Sequence, residues 1–370
     1  MSFKNENVIL LDLDNTLAIT DCDKEYSELI FDNQILDSIL LAKRKGYKVK
    51  IHTSRNMRSF KGDLKKIKKY TLPIIEDWLN KHNIPYDEII VGKPWCGHKG
   101  IYVDDKSLSP YEFKIRMFAN TFIPGITVIS SFYNEEKNVN RFWSQLKELD
   151  KYINVEEFIF VDNASSDHTY EMLKNIKTND KRIKILQNFA PSNYSKGLST
   201  CLKEVKTKYT LITHSDCQVN LDTSIKSWLE NLYESRSIIS KENHLSKIIM
   251  SFRTNRSLTE NLMTNINNLL AYKFLNWDKF MDFNSQPKII ETSLIKDFSC
   301  ENGYLFDLSL VNHINKKIEK STQIKIYDPF PVIIKKRLEG KSSWSEQKLQ
   351  VFFLVFSYVK YFFKNFYIIQ

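Results

Sequence analysis

The sequence has little of what would indicate a disordered, disulfide-stabilised or membrane-spanning protein. Only 9 of its 370 residues are glycine and 9 are proline, which argues against low complexity or a long disordered linker. The five cysteines are odd in number, widely spaced and without a C-x-x-C pair, so we expect neither a disulfide framework nor a zinc site, and a reducing compartment is favoured. The polar start is not typical of a signal peptide, and no uninterrupted apolar run predicts a membrane span.

The remaining bulk properties are those of a globular protein with anionic partners. Hydrophobic residues make up 42% and charged residues 26% of the chain, and the length favours two domains. The net charge of +10 suits phosphorylated sugars, nucleotides, anionic lipid headgroups or nucleic acid, although a lysine-rich coding bias would give the same number. No nucleic-acid recognition module is present, and the acids at strand ends described below argue against that class.

The first chemical pattern follows an apolar run near the N-terminus. Val8 to Leu17 reads as a strand that ends in Asp12-x-Asp14-x-Thr16. Two carboxylates two residues apart at a strand end face the same opening, where one could attack a phosphorus atom and the other could protonate the leaving oxygen. A second strand ends in Thr53-Ser54-Arg55, and its hydroxyl could hold a phosphoryl oxygen.

Two later patterns supply a cation and further carboxylates. Lys93 lies in a Gly-Lys-Pro-Trp loop, and a third predicted strand, 100–103, ends in Asp104-Asp105. Carboxylates of this kind can hold Mg²⁺, which prefers oxygen ligands and leaves room for a substrate phosphate.

These four elements, in this order, resemble the haloacid dehalogenase (HAD) superfamily of phosphohydrolases, and more narrowly the small phosphatases encoded with capsule-biosynthesis enzymes. The resemblance implies a HAD-like Rossmannoid domain without a large cap and Mg²⁺-dependent hydrolysis of a sugar phosphate or related phosphomonoester. The roles it implies are nucleophile for Asp12, general acid/base for Asp14, phosphate binding for Thr53, Ser54 and Lys93, and metal binding for Asp12, Asp14, Asp104 and Asp105. Two alternatives stay open: the acids cap strand ends, or the domain is an inactive scaffold.

The second part of the chain alternates strands and helices, which predicts a mostly parallel sheet in an α/β fold. Helices are expected at 36–45, 72–81, 137–150 and 170–177. The turn-forming segment Phe122-Ile-Pro-Gly predicts a boundary between a domain at 1–122 and a second domain at 123–345. Two strands of the second domain each end in an acid, at Asp162 and at Asp216. Such acids suit a nucleotide and its metal at the sheet edge.

These elements resemble the family 2 glycosyltransferases with a GT-A fold, a nucleotide-diphospho-sugar transferase domain. The resemblance implies that the nucleotide sugar is bound by Asn134, Glu135, Asp162, Asp167, His214 and Asp216. The family usually has Asp-x-Asp before its metal, whereas this chain has His214-Ser-Asp216. Imidazole prefers softer metals than Mg²⁺, so Asp216 and Gln218 are the predicted ligands of Mg²⁺ or Mn²⁺.

The later elements resemble polyprenyl-phosphate sugar transferases of the dolichyl-phosphate mannose synthase type. The resemblance implies that Arg253, Ser285 and Arg337 receive the phosphate of a lipid acceptor. A hydroxyl acceptor such as a glycan would need a general base instead, for which Asp282 and Asp307 are the candidates. A helix cap or a core-edge acid is the alternative for Asp307, and a surface cation is the alternative for Arg337.

The tail, 346–370, is intensely aromatic, and its Lys360 and Lys364 are four residues apart. This pattern predicts an amphipathic helix that lies on an anionic membrane, or equally a terminal helix packed on the second domain or in a dimer contact. The whole chain is therefore interpreted as a bifunctional enzyme of capsule or lipopolysaccharide biosynthesis, at the cytoplasmic side of the plasma membrane. In the alternative, one half is catalytic and the other is a scaffold or tether.

Overall fold

A computed structural model describes residues 7–21, 23–97, 101–102, 104, 106–189, 193–235, 245–275, 282–300, 305–335, 357–358 and 360–362. The chain divides into two units, Met1–Thr121 and Phe122–Gln370.

The first unit is built on a parallel sheet in the order β1-β4-β5, with a short antiparallel hairpin formed by β2 and β3. Its elements are β1 (Val8–Leu11), β2 (Ala18–Ile19), β3 (Ile30–Phe31), α1 (Asn33–Arg44), β4 (Lys48–Thr53), α2 (Leu64–Tyr70), α3 (Leu72–Lys81), β5 (Glu88–Val91) and α4 (Pro110–Phe122). Both β1 and β4 run toward the same edge, so Asp12 and Thr53 reach it together.

Local sequence signals explain where the helices of this unit begin, although α2 was not predicted from the sequence. The Asp32 side chain accepts hydrogen bonds from the backbone N–H groups of Gln34 and Ile35 and so starts α1. Helix α3 has the predicted bounds, with proline in its first turn. The lysine-rich connector before it is itself a helix, α2, which buries Ile67 and turns its lysines to solvent.

The third predicted strand of the first unit is absent from the part that the structure describes. Ile101 and Tyr102 are exposed and lie outside any strand, while Gly100 and Val103 fall outside the described residues. The core of this unit forms instead between β1, β4 and the flanking helices, from aliphatic residues such as Leu13, Ile39 and Ile51 together with Trp78.

The second unit contains a larger sheet with helices. Its elements are β6 (Ile126–Phe132), α5 (Val139–Leu149), β7 (Val155–Asp162), α6 (Thr169–Asn179), β8 (Ile183–Gln187), α7 (Tyr194–Glu204), β9 (Tyr209–Ile212), α8 (Leu221–Glu234), β10 (Ser246–Arg253), α9 (Leu258–Leu275), β11 (Lys288–Glu291), a 3₁₀ turn (Thr292–Leu294), α10 (Phe306–Ile318), β12 (Ile324–Ile326) and β13 (Phe330–Val332).

Its sheet is mostly parallel, as predicted, with one inverted strand. The order is β12-β10-β11-β9-β6-β7-β8, and β13 also pairs with β10. Strands β6 to β9 are parallel, as predicted, but β11 lies antiparallel between β9 and β10. An apolar run predicts a buried strand without giving its direction, so this inversion was not visible in the sequence.

The strand order creates a crevice at the end of β6. The chain goes from β6 to β7 and β8 on one side and then returns to β9 on the other side of β6. Helices follow β6 and β7, and such a reversal opens a cleft at the carboxyl ends of the strands, where ligands of open α/β sheets bind.

Small and polar residues bring α7 and the end of β9 close to β6. A Cβ atom on Gly197 of α7 would lie 2.5 Å from the Ser131 hydroxyl oxygen, so only glycine permits this approach. The Ser130 hydroxyl donates to the Thr213 carbonyl at 2.9 Å, and the Ser215 hydroxyl donates to the Ser131 carbonyl at 2.9 Å. The segment that carries His214 and Asp216 is thereby fixed beside β6.

The described tail residues, 357–358 and 360–362, are helical and belong to the second unit. Tyr358 and Phe362 are buried in its core cluster. This agrees with the packed alternative for these positions, whereas Lys364 lies outside the described residues. Within the described part of the chain, no helix combines the length and the apolar character needed to cross a membrane.

Candidate functional site

The strand-end acids of the first unit are each paired with a cation. The Lys93 ammonium lies 2.7 Å from Asp12 Oδ2, and the Leu13 N–H donates to Asp12 Oδ1 at 2.9 Å. Asp14 accepts from Arg55 through Nε at 3.2 Å and through Nη2. Both predicted catalytic carboxylates therefore lie at one edge, beside the predicted phosphate-binding lysine.

Arg55 was not recognised as a functional residue in the sequence. Its side chain is fully buried, and its guanidinium lies 4.1 Å from the centre of the Tyr26 ring. Its position directly after Thr53-Ser54 was the available signal. A planar guanidinium fork matches a carboxylate well, so Arg55 fixes the orientation of Asp14.

The other predicted residues of the first unit are only partly brought together. Thr53 is buried, and its hydroxyl accepts from the Arg55 N–H at 3.0 Å; its carbonyl accepts from the Lys93 N–H at 3.1 Å. Ser54 is half-buried next to it. Asp104 is exposed and accepts from the Lys106 N–H at 2.7 Å, and Asp105 lies outside the described residues. Among the residues that are described, no group of three or more His, Cys, Asp or Glu side chains could hold a metal.

In the second unit, several of the residues predicted to bind the nucleotide sugar form hydrogen bonds between two loops. Asn134 Oδ1 accepts from the Ser166 N–H at 2.8 Å, and the Asn134 N–H donates to Ser165 Oγ at 3.0 Å. Asp167 accepts from the Thr169 N–H at 3.0 Å and from the Glu136 N–H at 3.2 Å. These bonds fix the loops after β6 and β7 as one frame.

Glu135 belongs to the same frame. Its side chain is buried, and Oε2 accepts from Asn138 Nδ2 at 2.5 Å, while its N–H donates to Thr169 Oγ1 at 2.8 Å. The three side chains of Asn134, Glu135 and Asp167 thus shape the cleft edge through loop contacts.

Asp162 differs from all of these acids. It ends β7 opposite Phe132 of β6, it is 1% exposed, and neither of its carboxylate oxygens has a hydrogen-bond partner within the described part of the chain. Burying a carboxylate without donors is costly. An acid without a partner at the carboxyl edge of the sheet is therefore a candidate binding group, whose donors a ligand could supply.

His214 and Asp216 lie two strands away from Asp162, after β9. Neighbouring strands are about 4.8 Å apart, so the two groups are separated by a distance on the order of 10 Å along the edge. Asp216 is partly exposed and accepts from the Gln218 N–H at 3.2 Å. The Gln218 Nε2 group donates to the Lys335 carbonyl at 3.2 Å, which leaves its amide oxygen for a ligand.

The His214 ring lies just after the end of β9. It is exposed, yet the surrounding protein desolvates it, and this lowers the pKa of His214, with the charges of Asp216 and Asp307 opposing. The Tyr194 ring stands beside it, with centroids 5.0 Å apart at 31°. No sequence motif marked Tyr194 as a site residue. Its hydroxyl accepts from Gln286 Nε2 at 2.5 Å.

On the other side of β9, two ion pairs organise the predicted acceptor residues. Arg253 donates to both oxygens of Asp282, from Nε and from Nη2, each at 2.6 Å. Lys288 is fully buried, and its ammonium lies 2.6 Å from Asp307 Oδ1 and 2.6 Å from the Ser285 carbonyl. Ser285 is buried and bonds to the Ser251 hydroxyl at 2.7 Å.

These pairs distinguish the two candidate general bases. Both oxygens of Asp282 are occupied by Arg253. Asp307 has one oxygen bound to Lys288, while its Oδ2 has no hydrogen-bond partner in the described segments, and its side chain is 13% exposed. The register of β11 against β9, Lys288 opposite Ile212, puts this ion pair next to the His214 segment. Arg337 lies outside the described residues.

Comparison with known proteins finds a family match within the second unit. Residues 127–286 match the family described as "Glycosyl transferase family 2". Curated proteins give no significant match. The similar solved structures include S. aureus TarS residues 1–349 in complex with UDP-GlcNAc, with 21% identity over 63% of this chain and 65% of that chain and a TM-score of 0.39.

Two further solved structures are similar to parts of this chain. Glucosyl-3-phosphoglycerate synthase from Mycobacterium tuberculosis, in complex with Mn²⁺, UDP and phosphoglyceric acid, has 13% identity over 67% of this chain and 82% of that chain, with a TM-score of 0.46. A structural-genomics target from Vibrio cholerae has 42% identity over 29% of this chain and 87% of that chain, with a TM-score of 0.29. The family match is confined to residues 127–286, within the second unit, and shows that this segment is similar to family 2 glycosyltransferases.

Proposed function

We propose that the second unit transfers a glycosyl group from a nucleoside-diphosphate sugar to a hydroxyl group of an acceptor. The observation that carries the donor side is the buried carboxylate of Asp162, whose two oxygens lack partners in the described residues. The N–H of a nucleobase or the hydroxyls of a ribose would satisfy these oxygens. The topological switch at β6 is where an open α/β sheet binds such a ligand.

Asp216 is the residue that would hold a divalent cation. Mg²⁺ is often bound by only one or two carboxylates together with substrate phosphates, and this fits a single partly exposed acid with the Gln218 amide beside it. A cation held here would neutralise the diphosphate leaving group. His214 stays neutral near pH 7 because its pKa is lowered, so it would serve the donor as a hydrogen-bonding group.

Asp307 is the better base for a hydroxyl acceptor. Its unbound Oδ2 would take the proton as the acceptor oxygen attacks the anomeric carbon, and the nucleoside diphosphate would leave on the opposite face with inversion. Lys288 holds the other oxygen, which orients the carboxylate. Asp282 is less suited to this role, because Arg253 donates to both of its oxygens.

A polyprenyl-phosphate acceptor is the alternative, and it needs no base. Arg253 is nearly neutralised by Asp282, and neighbouring Arg256 has a lowered pKa because of desolvation and the nearby charge of Arg253. Two close cations favour an anion between them, but Asp282 and Glu260 already balance their charge, so the hydroxyl acceptor is favoured.

The donor can be tested without knowing the acceptor. Thermal-shift and calorimetric titrations with a panel of nucleotide sugars, with Mg²⁺, Mn²⁺ or EDTA, should give one nucleotide class that binds and a metal-dependent gain in affinity. The Asp162→Asn variant should lose this binding, while Asp150→Asn, an acid paired with Arg182 away from the cleft, should keep it. Equal binding by both variants would contradict the proposal.

A second activity is proposed for the first unit: hydrolysis of a phosphomonoester through an aspartyl-phosphate. The specific observation is that Lys93 lies 2.7 Å from Asp12 at the edge where Asp14 and Thr53 also lie. Mg²⁺ would be held by Asp12 and Asp14 together with oxygens of the substrate phosphate. A phosphate panel with and without Mg²⁺ tests this, and absence of turnover would favour the scaffold alternative.

These two activities together fit surface-polysaccharide assembly, either capsule or lipopolysaccharide. This setting is supported by the two family resemblances and by the basic charge of the chain. Radiolabelled donor sugar followed into lipid, glycan and soluble fractions would identify the acceptor and would separate a membrane-bound product from a soluble one.

A further inference from the structure

Tyr358 of the aromatic tail makes a polar contact with a turn of the second unit. The Tyr358 hydroxyl donates to Asn284 Oδ1 at 3.1 Å, and the Tyr358 ring lies 6.3 Å from the ring of Phe283. Tyr358 is 6% exposed. A buried tyrosine generally bonds its hydroxyl to a specific partner, and here the partner lies outside the helical segment of the tail.

Asn284 lies in a turn whose two ends are tied to β10. The Ser285 N–H donates to the Asp282 carbonyl at 2.7 Å, which closes the turn. Asp282 binds Arg253 of β10, and Ser285 bonds to Ser251 of the same strand. The Ser285 carbonyl also accepts from the Lys288 ammonium, which in turn holds Asp307. A shift of this turn would therefore move both ion pairs of the acceptor side.

The charged residues of the two ion pairs change the pKa of Tyr358. Burial raises the pKa of Tyr358, Asp307 and Asp282 raise it further, and Arg253 and the Asn284 bond oppose. The hydroxyl consequently remains protonated at neutral pH and remains a donor. It lies within electrostatic reach of Asp307, Asp282 and Arg253.

We propose that Tyr358 is a positioning residue for the acceptor side of the transferase site, which holds the 282–285 turn and through it Arg253, Lys288 and Asp307. This rests on the proposed transferase function. The tail is then part of the active site, because Tyr358 supplies a contact that fixes the Arg253–Asp282 and Lys288–Asp307 ion pairs.

The chain offers a matched control three residues away. The Tyr361 hydroxyl accepts from Asn312 Nδ2 at 2.8 Å and also bonds Ser309, both on α10. Tyr358→Phe and Tyr361→Phe each remove one hydroxyl from the same short segment and keep the ring. The two variants differ in whether the lost bond leads to the 282–285 turn.

The experiment compares the two variants in the full-length protein. A typical hydrogen bond contributes about 0.5–1.5 kcal/mol, so Tyr358→Phe should raise the acceptor KM or lower kcat by roughly 2- to 10-fold. Its donor affinity should stay within about twofold of wild type, since the contact lies on the acceptor side. Tyr361→Phe should leave both parameters near wild type. Equal kinetic effects of the two variants, or no effect of Tyr358→Phe, would overturn the proposal.

Hydrogen exchange separates this proposal from the transferase function itself. Amides of residues 282–286 should exchange faster in Tyr358→Phe than in wild type or Tyr361→Phe, with α10 unchanged. If nucleotide sugars bind and this difference is absent, the positioning role is wrong while the function stands. If no nucleotide sugar binds but the turn loses protection, the function is wrong while the tail still holds the turn.

Discussion

The strand-end acids of the two units are in opposite electrostatic states. In the first unit, Asp12 and Asp14 are each held by a cation, Lys93 and Arg55. In the second, Asp162 is buried without a donor in the described residues, and Asp216 meets only a backbone N–H.

This difference shows what each site needs from its ligand. A balanced pair of acids and cations receives a phosphate by exchanging partners, so the site is stable when empty. An orphaned acid destabilises the empty protein and is compensated only when a ligand brings donors or a cation. Strand-end carboxylates that look alike in sequence thus have different energetic roles.

The largest effect is expected for Asp12→Asn in the balanced site. Loss of the nucleophile should reduce phosphomonoester hydrolysis by about 10⁴-fold or more, because the covalent route is removed. Glycosyl transfer measured in the same preparation should be unchanged. The control is Asp32→Asn, an acid that caps α1 and pairs with Lys114; it should keep turnover while lowering stability. Comparable loss in both variants would show that the effect is structural.

A somewhat smaller effect is expected for Asp307→Asn in the second unit. Removing a general base should lower transfer to a hydroxyl acceptor by about 10³-fold without changing donor affinity. Asp282→Asn should instead lower the stability of the second unit by up to about 3 kcal/mol, since it leaves the Arg253 charge without its partner. Steady-state kinetics with calorimetry separates the two results. Unchanged transfer in Asp307→Asn would favour the phosphate acceptor.

The orphaned acid gives the sharpest test of the contrast between the units. Asp162→Asn should weaken donor binding by about 10- to 100-fold, as expected for a charged hydrogen bond of 1.5–3 kcal/mol, yet leave the ligand-free protein as stable as wild type or more stable. Asp167→Asn should instead destabilise the ligand-free protein and leave donor binding close to wild type, because the Asp167 carboxylate is bonded to Thr169 and Glu136. Differential calorimetry with and without nucleotide measures both. A destabilised ligand-free Asp162→Asn protein would mean that the carboxylate is satisfied.

The sequence predicted the strands and helices of both units well where periodicity and caps agreed. The bounds of α3 and the parallel strands β6 to β9 follow from local pattern. Helix α2 was missed because its lysine run conceals the single buried Ile67. The antiparallel direction of β11 was missed because a short apolar run carries no direction.

The candidate site was predicted less fully, for a different physical reason. Residue type and strand-end position predicted Asp162 and Asp216 as site residues, and a family resemblance made Asp307 a candidate base. They could not show which acids are neutralised, since pairing depends on tertiary neighbours such as Arg55 and Lys288. Nor could they show that Tyr358 reaches the 282–285 turn, because that contact joins residues 74 positions apart in the chain.

The smallest effect is expected on stability when Asp180, a paired acid of the second unit far from the cleft, is substituted. This change in stability is the reference with which Asp162→Asn is compared. Asp180 accepts from Arg182 Nη2 at 2.7 Å and from the Arg182 N–H at 2.9 Å. These bonds, the side-chain bond foremost, lower the pKa of Asp180 below its usual value of 3.8. A lowered pKa in the folded state means that the carboxylate stabilises the protein above pH 3.8 and loses this contribution as the pH falls through the folded value.

Asp180→Asn should therefore destabilise the second unit at pH 7, by at most about 1 kcal/mol because the pair is partly exposed to solvent. The difference from wild type should shrink below pH 3.8. Urea unfolding of both proteins at several pH values measures it. Asp162→Asn should show the opposite sign at pH 7, because a neutral amide relieves a buried charge that no donor in the described chain satisfies. If both substitutions destabilise to the same extent and with the same pH dependence, Asp162 is an ordinary paired acid and the distinction between the two units fails.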